Sequence, residues 1–267
     1  MKVVVCIKQT PSTTAVFTID NNGSVRWDDP GGKPNVLNPW DEYTVEEGIR
    51  LKENHGASDV TVLTMGDEDS QEALKTALAM GCDQAILVAD EAFIGSDTLG
   101  TARVLAAAIN RIGDVQVVVC GKQAIDGDTG QTPVQLARKL GWTPLTFVSA
   151  ITELGDGQIT VERLLDDGKE TVTAPLPVVI SVVKEINEPR YPSFMGIRKA
   201  NRAEIPTWTA ADLAIEGAHA GAAASNVDWS HVFALPPREG SVEIIEADSV
   251  EEQARILVAR LFEEKVI

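Results

Sequence analysis

Apolar residues in this chain come in short unbroken runs, separated by segments of helical period. Residues 3–7, 60–65, 85–88 and 115–120 are almost free of charge, as in Val117-Val118-Val119-Cys120. Runs of that length without alternation suit strands buried on both faces, as in parallel sheets. The helices between them have legible ends. Asn38 stands before Pro39, with Asp41 and Glu42 in the first turn, and His55-Gly56 breaks the run. Residues 70–80 follow as a helix closed by Gly81. Ser96 is placed to cap a helix through residue 109, and another helix spans about 131–140. This alternation predicts an α/β fold, a doubly wound and mainly parallel sheet with right-handed crossovers. Strand ends at Ile7/Lys8, Met65/Gly66 and Cys120/Gly121 should then converge along one edge.

Beyond Gly141 the texture changes. Residues 145–152, 158–164 and 170–174 read as strands, with Gly155-Asp156-Gly157 and Asp166-Asp167-Gly168 as turns, which predicts a β-hairpin insertion. Residues 178–183 form another buried strand. It leads to Asn187-Glu188-Pro189-Arg190-Tyr191-Pro192-Ser193-Phe194, a stiff exposed loop ahead of a short helix near 195–201. From Thr209 the chain is rich in Ala and Gly and weakly patterned until Ser249. There Ser249 and Glu252 make an S-x-x-E capping box, and Val250, Ala254, Leu257, Val258, Leu261 and Phe262 share one face of a final helix. The expected division is an α/β domain over 1–208, including the loop 187–201, and a C-terminal arm over 209–267 ending in that helix.

The segment Cys120-Gly121-Lys122-Gln123-Ala124-Ile125-Asp126-Gly127-Asp128-Thr129-Gly130-Gln131-Thr132-Pro133 carries the most chemistry. A strand stops at Gly121, a loop of Gly, Asp and Thr follows, and Pro133 fixes a helix start near 129–132. Open α/β sheets bind ligands outside the carboxyl ends of their strands. The amides of 129–132 lack intrahelical partners at the positive end of the helix dipole, a place that phosphates occupy. An ordinary βα turn capped by Asp128 or Thr129 is the plainer reading of the same residues. Asp126 and Asp128 fit solvated acids or ribose ligands better than an acid/base pair.

The formal charge of −17 and a pI of about 4.5 argue against nucleic acid and anionic membranes as partners, since both need basic patches. Phosphate would bind against that field, so local amides, Lys8 and Lys122 must supply the attraction. No run is apolar enough to span a bilayer, and the first strand begins at once, which points to a cytoplasmic setting without membrane insertion. Cys6, Cys82 and Cys120 have no CxxC spacing, and His55, His219 and His231 no ligand spacing, so no metal site is expected. GxGxxG, GxxxxGK[ST] and the Ser-Gly-Gly loop of ATP pyrophosphatases are missing, and no nucleophile set falls at credible strand ends, so no catalytic residue is assigned.

Several segments resemble the β subunit of electron transfer flavoprotein along essentially the whole chain. They are Val3-Val4-Val5-Cys6-Ile7-Lys8-Gln9 with Pro11, Asn38-Pro39-Trp40-Asp41-Glu42, Val62-Leu63-Thr64-Met65-Gly66, Gly95-Ser96-Asp97-Thr98, the 121–128 loop, and Asn187-Glu188-Pro189-Arg190. The resemblance implies an adenine-nucleotide alpha-hydrolase-like fold in an obligate heterodimer with an α subunit. FAD would shuttle electrons between an acyl-CoA or other flavin dehydrogenase and a quinone oxidoreductase or ferredoxin-type acceptor. Carried over by position, nucleotide contacts would be Cys6, Ile7, Asn38, Met65, Gly66, Gly121, Asp126, Asp128, Thr129, Gly130, Gln131 and Thr132. In one branch of the family that site holds AMP. In the electron-bifurcating branch it holds a second FAD, with NAD(H) as substrate.

Asp126-Gly127-Asp128-Thr129 with Gln131, and residues 203–211, resemble the bifurcating and nitrogen-fixation-associated members. Gln131-Thr132 and Asn187-Glu188-Pro189-Arg190-Tyr191 resemble the AMP-binding members, so both occupants stay open, with FAD slightly ahead. Pro189, Arg190, Tyr191 and Phe194 match the family's dehydrogenase-binding loop, with Phe194 where those members carry Leu. A different class, a free-standing adenine-nucleotide sensor, would need a Gly-Ser or Gly-Thr nine residues after its G-x-x-G. Here Gly127-Asp128-Thr129-Gly130 leads only to Gly141-Trp142.

Overall fold

The computed structural model describes all residues except 21–22, 217–218, 230, 237–239 and 241, and parts of the expected arm therefore lie outside the described residues. The chain divides into two compact units, Met1–His231 and Val232–Ile267.

The first unit is built on a nine-stranded sheet. Its strands are β1 (Lys2–Cys6), β6 (Asp59–Met65), β7 (Gln84–Val88), β8 (Val115–Gly121), β9 (Thr143–Gly155), β10 (Gln158–Leu165), β11 (Gly168–Pro175), β12 (Val178–Val182) and β13 (Thr207–Trp208). Their order is β11-β10-β9-β12-β8-β1-β6-β7-β13. Pairings from β9 through β13 are parallel, and only β10 runs antiparallel to β9 and β11. The chain runs from β1 outward to β6 and β7, then returns to β8 on the other side of β1. That reversal makes a topological switch point between β1 and β8, where a crevice must open at the strands' carboxyl ends.

Both faces of the sheet are covered. Val3 and Val5 pack on one side with residues of α1 (Pro39–His55) and α2 (Gln71–Met80). Val4 and Cys6 pack on the other with α3 (Thr98–Ile112) and α4 (Thr132–Leu140). The unbroken apolar runs follow from this layering, because a strand buried on both faces has no solvent side to leave polar. The hairpin insertion is β9–β10–β11, turning at the predicted places.

Two features differ from the expected pattern. Residues 9–37 carry two small antiparallel pairs that the periodicity did not signal: β2 (Gln9–Pro11) with β5 (Asn35–Leu37), and β3 (Val16–Ile19) with β4 (Val25–Asp28). The compact unit also runs past the expected boundary at 208. Leu213 and Ala220 are buried in the α3 layer, and Ser96 Oγ accepts the Gly221 amide at 2.8 Å.

In the second unit, Ser249 Oγ accepts the Glu252 amide at 3.2 Å and opens α6 (Val250–Glu263). The return half of the capping box is not made, because the Glu252 carboxylate holds Arg255 instead. No described residue of this unit is buried. Among the described residues, no helix is long and apolar enough to cross a membrane.

Candidate functional site: a cavity at the switch point

At the β1/β8 switch lies a cavity of about 320 Å³. Cys6 and Ile7 from the end of β1, Met65 from β6, and Cys120 and Gly121 from β8 form its floor. The loop 123–131 and the first turn of α4 make one wall, and the start of α3 makes the opposite wall. Thr64 Oγ1 donates to the Ile7 carbonyl at 2.8 Å, which fastens β6 to the floor.

Of the twelve residues expected to contact a nucleotide, eleven line this cavity: Cys6, Ile7, Asn38, Met65, Gly121, Asp126, Asp128, Thr129, Gly130, Gln131 and Thr132. Gly66 does not. Its amide bonds the Val88 carbonyl in the β6–β7 gap, one strand away from the switch, and it lines a neighbouring hollow with Asp67, Glu68 and Asp90. Met65 lines both spaces.

Asn38 works differently from the helix cap it resembles. It occupies the cap position of α1 but makes no side-chain cap bond. Its Nδ2 donates to the Gln123 carbonyl at 3.0 Å and its Oδ1 accepts the Ile125 amide at 3.2 Å. Asn38 is therefore a buried strut that fixes the loop after β8. Further along that loop, Gln123 Nε2 donates to Asp128 Oδ1 at 2.8 Å, and Asp128 adopts a positive φ of 50°. The chain then enters α4 with Gln131 at the cap position and no side-chain cap. The amides of 129–132 find no partner among the described residues. That leaves a set of free donors at a helix N-terminus, the arrangement that suits an anion.

The two expected cations separate. Lys8 lines the cavity, and its Nζ pairs with Asp126 Oδ2 at 2.6 Å. Lys122 faces elsewhere, over the rings of Trp40 and Phe147 at 5.4 and 5.6 Å. Its amide extends the β8–β12 pairing to Val182, so its side chain is set off from the floor that Cys120 and Gly121 supply. With Lys8 paired and Lys122 turned away, the unpartnered donors along this loop are backbone amides.

Several lining residues were not foreseen. Ser96, Asp97, Thr98, Thr101 and Leu105 come from the start of α3. The true cap there is Asp97, which accepts the Gly100 amide at 2.8 Å and the Asn226 amide at 2.9 Å; these bonds hold its carboxyl below the usual carboxylate range. Ser96, the expected cap, stands one residue outside. The signal for this wall was present, since α3 starts just beyond the end of β7 on the same edge of the sheet. Gln123 and Ala124 complete the loop wall.

Asp41 is the other addition. It is 4% exposed in the first turn of α1, and its Oδ2 accepts the Lys8 amide at 2.7 Å. Gly121 presses so closely on it that a Cβ there would stand 2.3 Å from Asp41 Oδ1 and 3.1 Å from Trp40 Cβ. Burial pushes the Asp41 carboxyl up to about 7, against the pull of the Lys8 amide, Asn38, the Lys8 charge and the Gly121 amide. The free Cys120 thiol is raised well above its ordinary value by its hydrogen bond with Cys6, by burial and by the nearby Cys6 and Asp41. The cysteines are thus packing groups rather than nucleophiles. Among the described residues no cluster of His, Cys, Asp and Glu could hold a metal ion.

The loop 187–194 lies on α1, apart from the cavity. Arg190 spans two carboxylates, with Nε to Glu46 Oε2 at 2.7 Å and Nη2 to Glu53 Oε2 at 2.8 Å. Asn187 Nδ2 donates to the Tyr43 carbonyl and to Glu47 Oε2, both at 3.0 Å. Ser193 caps α5 (Phe194–Ala200) through the Gly196 amide at 2.9 Å. Pro189 is half-buried, whereas Tyr191 is 94% and Phe194 75% exposed, beside exposed Met195 and Ile197. Of the four expected partner contacts, Tyr191 and Phe194 face solvent, while the Arg190 guanidinium is engaged within the chain.

Residues 30–213 match the family model described as the electron transfer flavoprotein domain. The chain is 37% identical over 267 residues to the caffeyl-CoA reductase–Etf complex subunit CarD of Acetobacterium woodii, covering all of both chains. It is 39% identical over 268 residues to the electron transfer flavoprotein subunit beta of Thermoanaerobacterium thermosaccharolyticum, again over the full length of both. Protein FixA of Azorhizobium caulinodans is 34% identical over 269 residues, covering 98% of this chain and 94% of its own.

Proposed function

This chain belongs to the electron transfer flavoprotein family, alongside its β subunits, and from that premise we propose that its switch-point cavity holds an adenine nucleotide, with FAD as the occupant. The observation that carries the reading is the set of unpartnered amides at 129–132, on residues lining a cavity that seven further expected contacts and Lys8 also border. The cavity's volume of about 320 Å³ is at the lower end of the ~300–1,000 Å³ that small-molecule sites span, enough for the nucleotide part of a cofactor. The donor set fits as well. Main-chain amides suit phosphate, and Asp126 and Asp128 on the rim suit ribose hydroxyls. FAD, when bound, supplies the electron-transfer chemistry. The chain supplies the fixed loop, the floor and the shielding from water.

The partner is an α subunit, forming a heterodimer. The second unit supports this, since Leu235, Val242, Ile244, Val250 and Phe262 are all exposed apolar residues in search of cover. A flavin dehydrogenase, of the acyl-CoA type or another, docks on Tyr191 and Phe194, and a quinone oxidoreductase or ferredoxin-type protein accepts the electrons. The Asp126–Gln131 pattern, which resembles the electron-bifurcating members, favours FAD over AMP in the cavity and NADH as a reductant.

Co-expression with the α subunit, extraction of ligands and a count of flavin per heterodimer tests this. Two FAD and bleaching by NADH are expected. One FAD with one AMP would leave the nucleotide site standing and remove the second flavin. A stable flavin-free monomer that binds ATP would contradict the carrier reading altogether.

A further inference from the structure

Buried Asp41 lines the same cavity as residues 129–132, whose amides have no partner among the described residues. Its Oδ2 accepts the Lys8 amide from the end of β1, and its Oδ1 lies against Gly121 at the end of β8. It is wedged between the two lips of the switch point, so it cannot swing out to solvent when a ligand enters. We propose that Asp41 couples occupancy of this cavity by a phosphate-bearing ligand to the uptake of one proton, taken from solvent onto its carboxyl. The proposal rests on the adenine-nucleotide reading of the cavity.

The physical cause is like-charge repulsion in a confined space. Asp41 and residues 129–132 line one cavity of about 320 Å³, so a phosphate held by those amides shares a single confined space with the Asp41 carboxyl. At an effective dielectric near 20, one negative charge at ~8 Å disfavours another by a factor of about thirty. The neighbouring charges do not cancel this. Lys8 is paired to Asp126, Lys122 sits over Trp40 and Phe147, and Asp97 from α3 and Asp128 from the loop are further anions. Glu42, next along α1, is another acid, and the Cys6 and Cys120 thiols from β1 and β8 add no positive charge. Without a ligand the carboxyl is already raised to about 7 by burial, so a nearby phosphate carries it into the protonated form across the neutral range. Phosphate ligands then bind more weakly as pH rises, and a ligand without phosphate does not.

The test uses the nucleotide-stripped αβ heterodimer, titrated calorimetrically with AMP and with adenosine in buffers of low and high ionisation enthalpy. Near pH 7, AMP binding should draw close to half a proton or more from the buffer beyond what Asp41→Asn draws, and adenosine none. The AMP phosphate has its own ionisation near 6, and the comparison with Asp41→Asn removes it. From about pH 6 to about pH 8, the AMP affinity of the wild type should fall roughly tenfold relative to Asp41→Asn. Equal proton uptake in the two proteins would overturn the proposal while leaving the nucleotide site intact. AMP and FAD binding at no pH would instead overturn the reading beneath it. An infrared difference spectrum of the wild type serves if the variant does not fold. AMP added at about pH 8 should raise a protonated-carboxyl band, and no such band would equally overturn the proposal.

Discussion

Asp41 and Gly121 are the residues on which the shape of the cavity floor depends. Asp41 is charged at high pH at the cost of its burial, and the sign of its effect on stability follows from that. Its folded pKa of about 7 lies above the ordinary value of 3.8, so the folded state holds its proton where the unfolded chain has lost it. Stability therefore declines as pH rises from about 4 to about 7, by up to ~1.4 kcal/mol per pH unit from this group. Asp41→Asn should stabilise the ligand-free protein by a few kcal/mol at pH 8 relative to wild type and by much less at pH 5. Urea unfolding at the two pH values measures this, and a pH-independent difference would contradict it. Gly121→Ala should cost about 1–3 kcal/mol and deplete bound nucleotide, because the added Cβ must displace Asp41 or Trp40. Thermal melting and nucleotide content of the purified variant check both halves. The sequence carried Asp41 only as an acid in a helix's first turn; its contact with Lys8 and Gly121 joins residues far apart in the chain, which no local pattern encodes.

Elements were legible where one local rule decided them. Unbroken apolar runs located the parallel strands, and Pro39, Gly56 and Pro133 set the helix ends, because a strand buried on both faces or a proline in a first turn leaves few alternatives. The pairs β2–β5 and β3–β4 escaped, since β3 and β4 are exposed on both faces and leave no alternation to read. The Ser96 cap missed by one residue because Ser and Asp are equally good caps, and the Gly221 amide claims Ser96. The loop 187–194 was read as stiff from its prolines, and the structure adds a second restraint. Arg190 clamps it to α1 through Glu46, whose side chain is 5% exposed, and through Glu53. These bonds keep the guanidinium firmly protonated. Arg190→Ala would leave the buried Glu46 carboxylate only its longer pairing with Arg50 at 3.6 Å and should cost ~1–3 kcal/mol, discounted for the exposed Glu53 half of the clamp. Amide hydrogen exchange should quicken over 187–197, while nucleotide content stays unchanged. Unaltered exchange in that loop would mean that the clamp does not hold it.

Across the whole molecule, the proposed phosphate site of this acidic chain is made of backbone. The charge of −17 argues against nucleic acid for the same reason that a phosphate in this cavity would have to rely on amides. Sequence resemblance located eleven of the cavity's lining residues because they cluster at strand ends. It missed the α3 wall, although the start of α3 beyond the end of β7 placed that wall on the same edge of the sheet. The second unit buries none of its described residues, so a chain ending at His231 should keep the folded α/β unit but fail to co-purify with the α subunit. Size-exclusion chromatography and circular dichroism would reveal either outcome. The central claim is that the amides of 129–132 hold the phosphate of an adenine nucleotide, and an experimental structure of the αβ heterodimer tests it most directly. Density for an adenine nucleotide in the β1/β8 cavity, with a phosphate on those amides, is the predicted result. Water alone at those amides, with every nucleotide bound elsewhere in the heterodimer, would contradict it.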